Sequence, residues 1–352
     1  MTCPEQGNTI LGMSRTRLIF SISLLVFLLA VFLTLAFAFF LVSPADKDAR
    51  ERIFVVKEGE SLKEVAEELE RMHLVTNRRL FVLWAEITGQ SKQIKSGEYA
   101  LSESMPPIKI LERLHKGSVV LHAVTIPEGF ALEQIADLLA AKGLVQKEAF
   151  LSLAHTSKAL SSYGVRAPSL EGFLFPDTYH FSRGLNPATL IDTMVRRFWQ
   201  MVGPLRERAD AVGMTMGEVV TLASIVEKET GEPTERPTIA SVFLNRLGRG
   251  MRLESDPTVI YGIKDFDGNL RRSDLARETP YNTYLIKGLT PGPIASPGLD
   301  AIRAVLYPAR TDYLYFVSKN DGSHYFSRTL AEHNRAVETY QKKKGARQEK
   351  TS

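Results

Sequence analysis

The chain has 352 residues, of which 24% are charged and 44% hydrophobic, with 44 Lys and Arg against 40 Asp and Glu. This is the balance of a folded globular protein rather than a disordered one, with length for two or three domains. The net charge of +4 is modest and no basic tract is interleaved with aromatics, so nucleic acid is not an expected partner.

Residues 1–17 form a short segment before a long apolar run, a cytoplasmic tail if that run spans a bilayer. Leu18 to Val42 carries no charge. As a helix of about 25 residues it is roughly 37 Å long, enough to cross a bilayer with some tilt. The rival reading is a signal peptide cleaved after Ala36-Phe37-Ala38. The run exceeds the roughly 7–15 residues of a usual signal core, which favours a retained anchor. Arg15 and Arg17 precede it and Lys47, Arg50 and Arg52 follow, so charge does not orient it. Cys3 is the only cysteine, so no disulfide forms within the chain and the folded part depends on its core alone.

An internal repeat follows. Ile53-FVVKEGESLKEVAEELERMHLV resembles Ala123-VTIPEGFALEQIADLLAAKGLV. Glu58 and Gly59 match Glu128 and Gly129, while Leu62, Val65, Ala66 and Leu69 match Leu132, Ile135, Ala136 and Leu139. Each copy predicts a short strand, a tight Glu-Gly turn and an amphipathic helix. A third fragment predicts a strand at Gly97–Leu101 and a helix from Ile108 to His115. The chain divides accordingly into a module over 46–120, a second related unit with a connector over 121–165, a larger domain over 166–342 and a basic tail over 343–352. Trp84 reads as core rather than as a ligand platform.

In the larger part, Phe150 to Tyr163 and Leu190 to Val202 read as helices, the latter with Met194, Phe198 and Trp199 inward. Between them Pro168 to Tyr179 is too irregular for a buried strand and too apolar for a free loop, so it is a packed loop carrying Glu171 and Asp177. Thr215 and Glu218 have capping-box spacing, and Gly231 and Pro233 end the helix they start. Its apolar run, Val219 to Val226, leads into Glu227 and Glu229. A carboxyl held against apolar side chains resists ionisation, as a general acid near neutral pH requires. Helical geometry does not choose between the two. Glu229 projects beside Leu222, and Glu227 beside Val220, Ala223 and Ser224, a flank of small residues with room for a ligand. Both are equally readable as solvated helix glutamates.

The next helix turns Ile239, Val242, Phe243 and Leu247 inward. Near its end, Asn245 can bond a sugar or cap the helix. Asp256 and Pro257 read as N-cap and first residue of a further helix. Tyr281, Asn282 and Tyr284 combine rings with polar groups, which suits the apolar faces and polar rims of sugars. Gly288 to Gly298 is a shaped loop, after which Ser296 and Pro297 start a helix. A hairpin spans Tyr313 to Ser327 and a last helix begins near Thr329. The chain lacks phosphate-loop, zinc-helix and Gly-x-Ser-x-Gly motifs, and its seven histidines show no metal-ligand spacing. No metal or cofactor is expected, which leaves acid–base chemistry by carboxylates.

ASIVEKET (223–230), SVFLNRLGRGMRLESDPTVIYG (241–262) and YNTYLIKGLTPGPIASPG (281–298), with LEGFLFPDTY (170–179) and LYFVSKNDGSHYFS (314–327), resemble the YceG-like family of MltG-type endolytic murein transglycosylases. The stretch VKEGESLKEVAEEL (56–69) resembles a LysM-like module, a type that binds N-acetylglucosamine-containing glycans; it is equally readable as a spacer. The implied fold class is α+β: an N-terminal single-pass transmembrane helix, LysM-like small α+β modules and a mixed α+β catalytic domain. The resemblance implies Glu227 as the catalytic residue, with Glu171, Asn245, Asp256, Tyr281, Asn282 and Tyr284 as substrate-binding candidates. It implies cleavage of the MurNAc–GlcNAc bond within peptidoglycan strands to leave 1,6-anhydro-MurNAc ends, terminating nascent strands. It further implies an inner-membrane anchor with the catalytic part periplasmic, and contact with peptidoglycan synthases. Two alternatives stand beside it: a muramidase in which Glu171, Glu229 or Asp256 activates water, and a non-catalytic glycan-binding membrane protein.

Overall fold

A computed structural model describes residues 15–46, 48–92 and 94–342; Cys3, most of the expected cytoplasmic tail and the basic tail lie outside the described residues. The chain divides into two compact units that meet in sequence at Val120 and Leu121.

The first unit begins with α1 (Arg15–Val42), whose apolar stretch from Leu18 is exposed along most of its length. Only near its end do side chains turn inward: Phe40 and Leu41 join the core of the unit. Strand β1 (Arg52–Val56) leads through a turn at Gly59, where φ is +85° and a side chain would be strained, into α2 (Leu62–Arg71). Ser61 and Glu64 close a capping box at its start. Next come α3 (Arg78–Ile87), β2 (Gly97–Leu101) and α4 (Pro107–Lys116). The strands pair antiparallel, Arg52 opposite Leu101 and Val56 opposite Gly97. Phe54, Val56, Tyr99 and Leu101 face a core shared with Leu62, Val65, Ala66 and Leu69.

The second unit opens with the other copy of the repeat. Strand β3 (His122–Thr125), a turn at Gly129 and α5 (Leu132–Ala141) bury Leu132, Ile135, Ala136 and Leu139, the matches of the four α2 residues. The sequence repeat is therefore a repeat of packing, but this copy does not stand apart. Its strand pairs with β4 (Thr178–Phe181), and its core is continuous with that of the larger domain. Between them α6 (Lys147–Ala154) and α7 (Ser157–Ser162) replace the single helix expected over Phe150–Tyr163. Then follow α8 (Pro187–Val202), α9 (Arg206–Ala211), α10 (Met216–Glu229), α11 (Arg236–Gly248), α12 (Asp256–Tyr261), α13 (Arg272–Leu275) and α14 (Leu299–Leu306). The hairpin of β5 (Tyr315–Ser318) and β6 (His324–Ser327) and helix α15 (Leu330–Val337) complete the unit.

At the centre is α10. Thr215 and Glu218 close its capping box. Every residue from Val219 to Val226 is buried, not merely the face of Val219, Leu222 and Val226. A helix apolar all round belongs to an interior, and α11 and α14 pack against it. Two starts differ from expectation. Ser255 rather than Asp256 occupies the cap position of α12, and α14 begins at Leu299 with Gly298 before it, so Ser296 caps nothing. Ser296 is instead fully buried in the loop, its backbone bonded to Gly129 and Phe130.

Candidate active site

The core helix α10 delivers two carboxylates at its last turn. Two residues apart on a helix means about 200° apart around its axis, so Glu227 and Glu229 face opposite sides.

Glu227 is locked. Its side chain is only 6% exposed. Arg236 Nη2 donates to Oε1 at 2.8 Å and the Gly298 amide to Oε2 at 3.0 Å. The same Arg236 nitrogen lies 3.5 Å from the half-exposed Glu128 carboxylate. Lys228 Nζ donates to the Gly129 carbonyl at 3.2 Å, and Gly129 and Phe130 exchange backbone bonds with Ser296. A Cβ on Gly298 would fall 1.9 Å from Glu128 Oε1, so any side chain there would displace the Glu128 carboxylate. Burial raises the Glu227 pKa, which the Gly298 N–H and Arg236 partly offset.

The expected room for a ligand beside Val220, Ala223 and Ser224 is filled by protein. Ser224 Oγ accepts the Ile294 amide at 3.0 Å, all three residues are buried, and Pro293 packs so closely on Gly172 that a Cβ there would meet it at 2.5 Å.

Glu229 has a different setting. Its Oε1 accepts a hydrogen bond from Ser255 Oγ. Burial pushes its carboxyl up to about 7, with Ser255 opposing, the Asp256 charge adding to the rise and Arg246 opposing. Arg246 is committed elsewhere, donating to the carbonyls of Leu314 at 2.6 Å and Leu253 at 2.7 Å. Asp256 is exposed, and its Oδ1 accepts from the Tyr284 hydroxyl at 2.7 Å. Thr283 aligns the segment: Ser255 N donates to its Oγ1 at 2.9 Å and Glu254 N to its carbonyl at 3.2 Å. Glu254 has φ of +49°, a left-handed conformation costly for a non-glycine residue and common where a site imposes geometry.

Of the residues predicted from sequence, Asp256 and Tyr284 therefore stand together beside Glu229, and Glu227 stands apart on the far side of the helix. Glu171 lies elsewhere. It is 4% exposed. Both its oxygens accept the Leu132 amide at 3.0 Å, capping α5, and the Tyr261 hydroxyl reaches it at 3.1 Å. Burial pushes its carboxyl to about 7. Tyr281 is partly buried with its ring 4.8 Å from that of Tyr261. Asn245 and Asn282 spend their amides internally: Asn245 donates to the carbonyls of Thr311 and Tyr313, and the fully buried Asn282 to those of Leu275 and Arg277. These bonds hold loops and leave the two amides no donor for a sugar. Sequence reading missed Ser255, Arg236, Gly298 and Glu128. The Glu-Gly turn of the repeat was the one available signal for the last. Among the described residues no cluster of His, Cys, Asp and Glu is placed to hold a metal ion. A cavity of about 620 Å³ opens at the opposite end of α10, lined by Arg166, Thr215, Glu218, Thr221 and Leu247 among others, away from both carboxylates.

The YceG-like family model matches residues 54–339. A Bacillus subtilis protein named endolytic murein transglycosylase is 31% identical over 320 residues, covering 85% of this chain and 88% of that protein. A Streptococcus pneumoniae protein of the same name is 32% identical over 327 residues, covering 84% of this chain but 59% of its own longer length. A crystal structure of a YceG-like protein from Listeria monocytogenes matches with a TM-score of 0.57 and 32% identity, covering 81% of this chain and 98% of the other.

Proposed function

The chain belongs to the YceG-like family, and from that premise we propose that it is a membrane-anchored endolytic murein transglycosylase whose general acid is Glu229. The observation that carries the choice of acid is the contrast at the end of α10. Glu229 is pushed to about 7, close to the working pH at which a general acid is most effective, and it neighbours the exposed Asp256, which accepts from the partly buried Tyr284. The motif resemblance favoured Glu227, but that carboxylate is held by Arg236 and the Gly298 amide, which suits an anchor for the loops rather than a group that cycles its proton.

In the proposed reaction, neutral Glu229 protonates the oxygen of the MurNAc–GlcNAc bond, which breaks through an oxocarbenium-like state. The resulting carboxylate takes the proton of the C6 hydroxyl on the same MurNAc. That oxygen attacks C1 and closes a 1,6-anhydro ring, so no water is consumed. Ser255, bonded to Oε1, orients the carboxyl and stabilises it when ionised. Asp256 disfavours that ionised form and so keeps the acid loaded. Tyr284 and Asp256 bracket the sugar. The apolar helix α1 fits a retained span with the following units on the outer side, where cleavage within a strand would terminate nascent glycan. A second reading, hydrolysis, is favoured by one observation: Asp256 is an exposed second carboxylate able to activate water.

The test is mass spectrometry of muropeptides released by the full chain, by Glu229→Gln and by Glu227→Gln. Products ending in 1,6-anhydro-MurNAc that vanish with Glu229→Gln and persist with Glu227→Gln are the expected result. Products one water heavier would establish hydrolysis. Loss with Glu227→Gln alone, in a folded variant, would return the acid to Glu227.

A further inference from the structure

The last part of α1 is not free of the first unit. Phe37, five residues before the helix ends, meets Trp84 of α3 edge-on at 6.1 Å, and Phe40 and Leu41 enter the core. Five residues of helix are about 7.5 Å along its axis. The apolar stretch of α1 exceeds the ~30 Å of a hydrocarbon core by a few ångströms at each end. If α1 spans, Phe37 and its partner Trp84 lie at the level where acyl chains meet headgroups, the depth that tryptophan favours.

The sides of α3 continue the argument. At 100° per residue, Phe81 and Ala85 point to one side, where both are fully buried. Trp84 lies next round the helix, toward α1. Beyond it come Leu80 and Ile87 within about 20° of each other, then Leu83, then Arg79. The apolar stripe thus runs on past the contact with α1 instead of ending there. Leu83 is 44% exposed and Ile87 64% exposed. A short helix that is apolar on the side adjoining a membrane span, with an exposed arginine at its rim, has the pattern of an interfacial helix.

We propose that α3 rests on the bilayer beside the end of α1, with Leu83 and Ile87 inserted among the lipids, so that the first unit is seated on the membrane surface. The occupant of this surface is lipid, because the stripe is continuous with the side of α3 that meets the span. The inference rests on the reading that α1 is a retained membrane span.

The experiment uses the full chain with Cys3→Ser, carrying an environment-sensitive fluorophore on Ile87→Cys or, separately, on Phe27→Cys inside the span. Each is reconstituted in vesicles of phosphatidylcholine and phosphatidylglycerol with acyl chains brominated near the headgroup or near the methyl end. The substitution at position 87 touches an exposed side chain and leaves the fold intact. Expected is at least about a twofold loss of emission for the position-87 label with shallow bromines, as for a side chain buried ~5–10 Å at the interface. The position-27 label responds to deep bromines. Quenching at 27 without quenching at 87 overturns the seating of α3 and leaves the span standing. Quenching at neither overturns the span and the inference with it.

Discussion

Glu227 and Glu229 leave the same helix one residue apart from being neighbours, yet the fold treats them oppositely. Around Glu227 it gathers a guanidinium, a backbone amide and two loops, and closes the space with Pro293 and Ile294. Beside Glu229 it places a hydroxyl and a second carboxylate that stays in solvent. Burial raises both carboxyls, so desolvation alone does not separate structural from chemical roles. On the proposed assignment, what separates them is direct contact: a guanidinium bonds Glu227 itself, whereas Arg246 acts on Glu229 only through its charge.

The sharpest way to break this contrast is the rate. Glu229→Gln should lower turnover by about 10²–10⁴-fold, the range for loss of a general acid, while Glu227→Gln keeps a measurable rate in the same muropeptide assay. Stability should respond in the reverse order. Glu227→Ala leaves Arg236 buried with only the half-exposed Glu128 as partner. It should cost about 3–5 kcal/mol in urea unfolding, more than Glu229→Ala. Glu171 gives a comparison outside the pair, since burial raises it to about 7 as well. The folded state binds this proton more tightly than the unfolded one, so stability falls as pH rises from about 4.5 to about 7, by at most ~1.4 kcal/mol per unit. Glu171→Gln should flatten that slope in thermal melts at pH 5 and pH 7.5. Asp256→Asn removes a charge that raises Glu229, so the alkaline limb of the rate profile should move to lower pH, by up to about one unit. The smallest effect belongs to the turn that brings Glu128 to the lock. Gly129 has φ of +76°, and Gly129→Ala should cost about 1 kcal/mol and little activity.

The sequence carried the elements far better than their partners. The repeat foretold which four residues of α2 and α5 are buried, because amphipathic spacing is local. It was silent on β4 as the mate of β3, since that pairing joins residues more than fifty apart. For α10, the apolar run was legible but not burial on every side, which depends on α11, α14 and the loop at 293–298. The proposed site was legible as a carboxylate at a helix end. The choice between two carboxylates was not, because it depends on Arg236, Gly298 and Ser255, none of them on the helix. Asn245 and Asn282 read as sugar contacts by residue type, and the carbonyls that their amide N–H groups meet lie too far along the chain or too deep in loops to be read from it.

The two side chains that α1 buries in the core of the first unit have a practical corollary. Phe40 and Leu41 end the long apolar helix and are also core residues, so there is no clean joint between that helix and the rest of the unit. A truncation that starts after the apolar stretch deletes both, and forfeits about 1.5–3 kcal/mol for each core side chain. A version shortened in that way would leave an apolar hollow where the helix end had been. Weak glycan affinity, aggregation or low activity measured on it would then describe the cut as much as the enzyme.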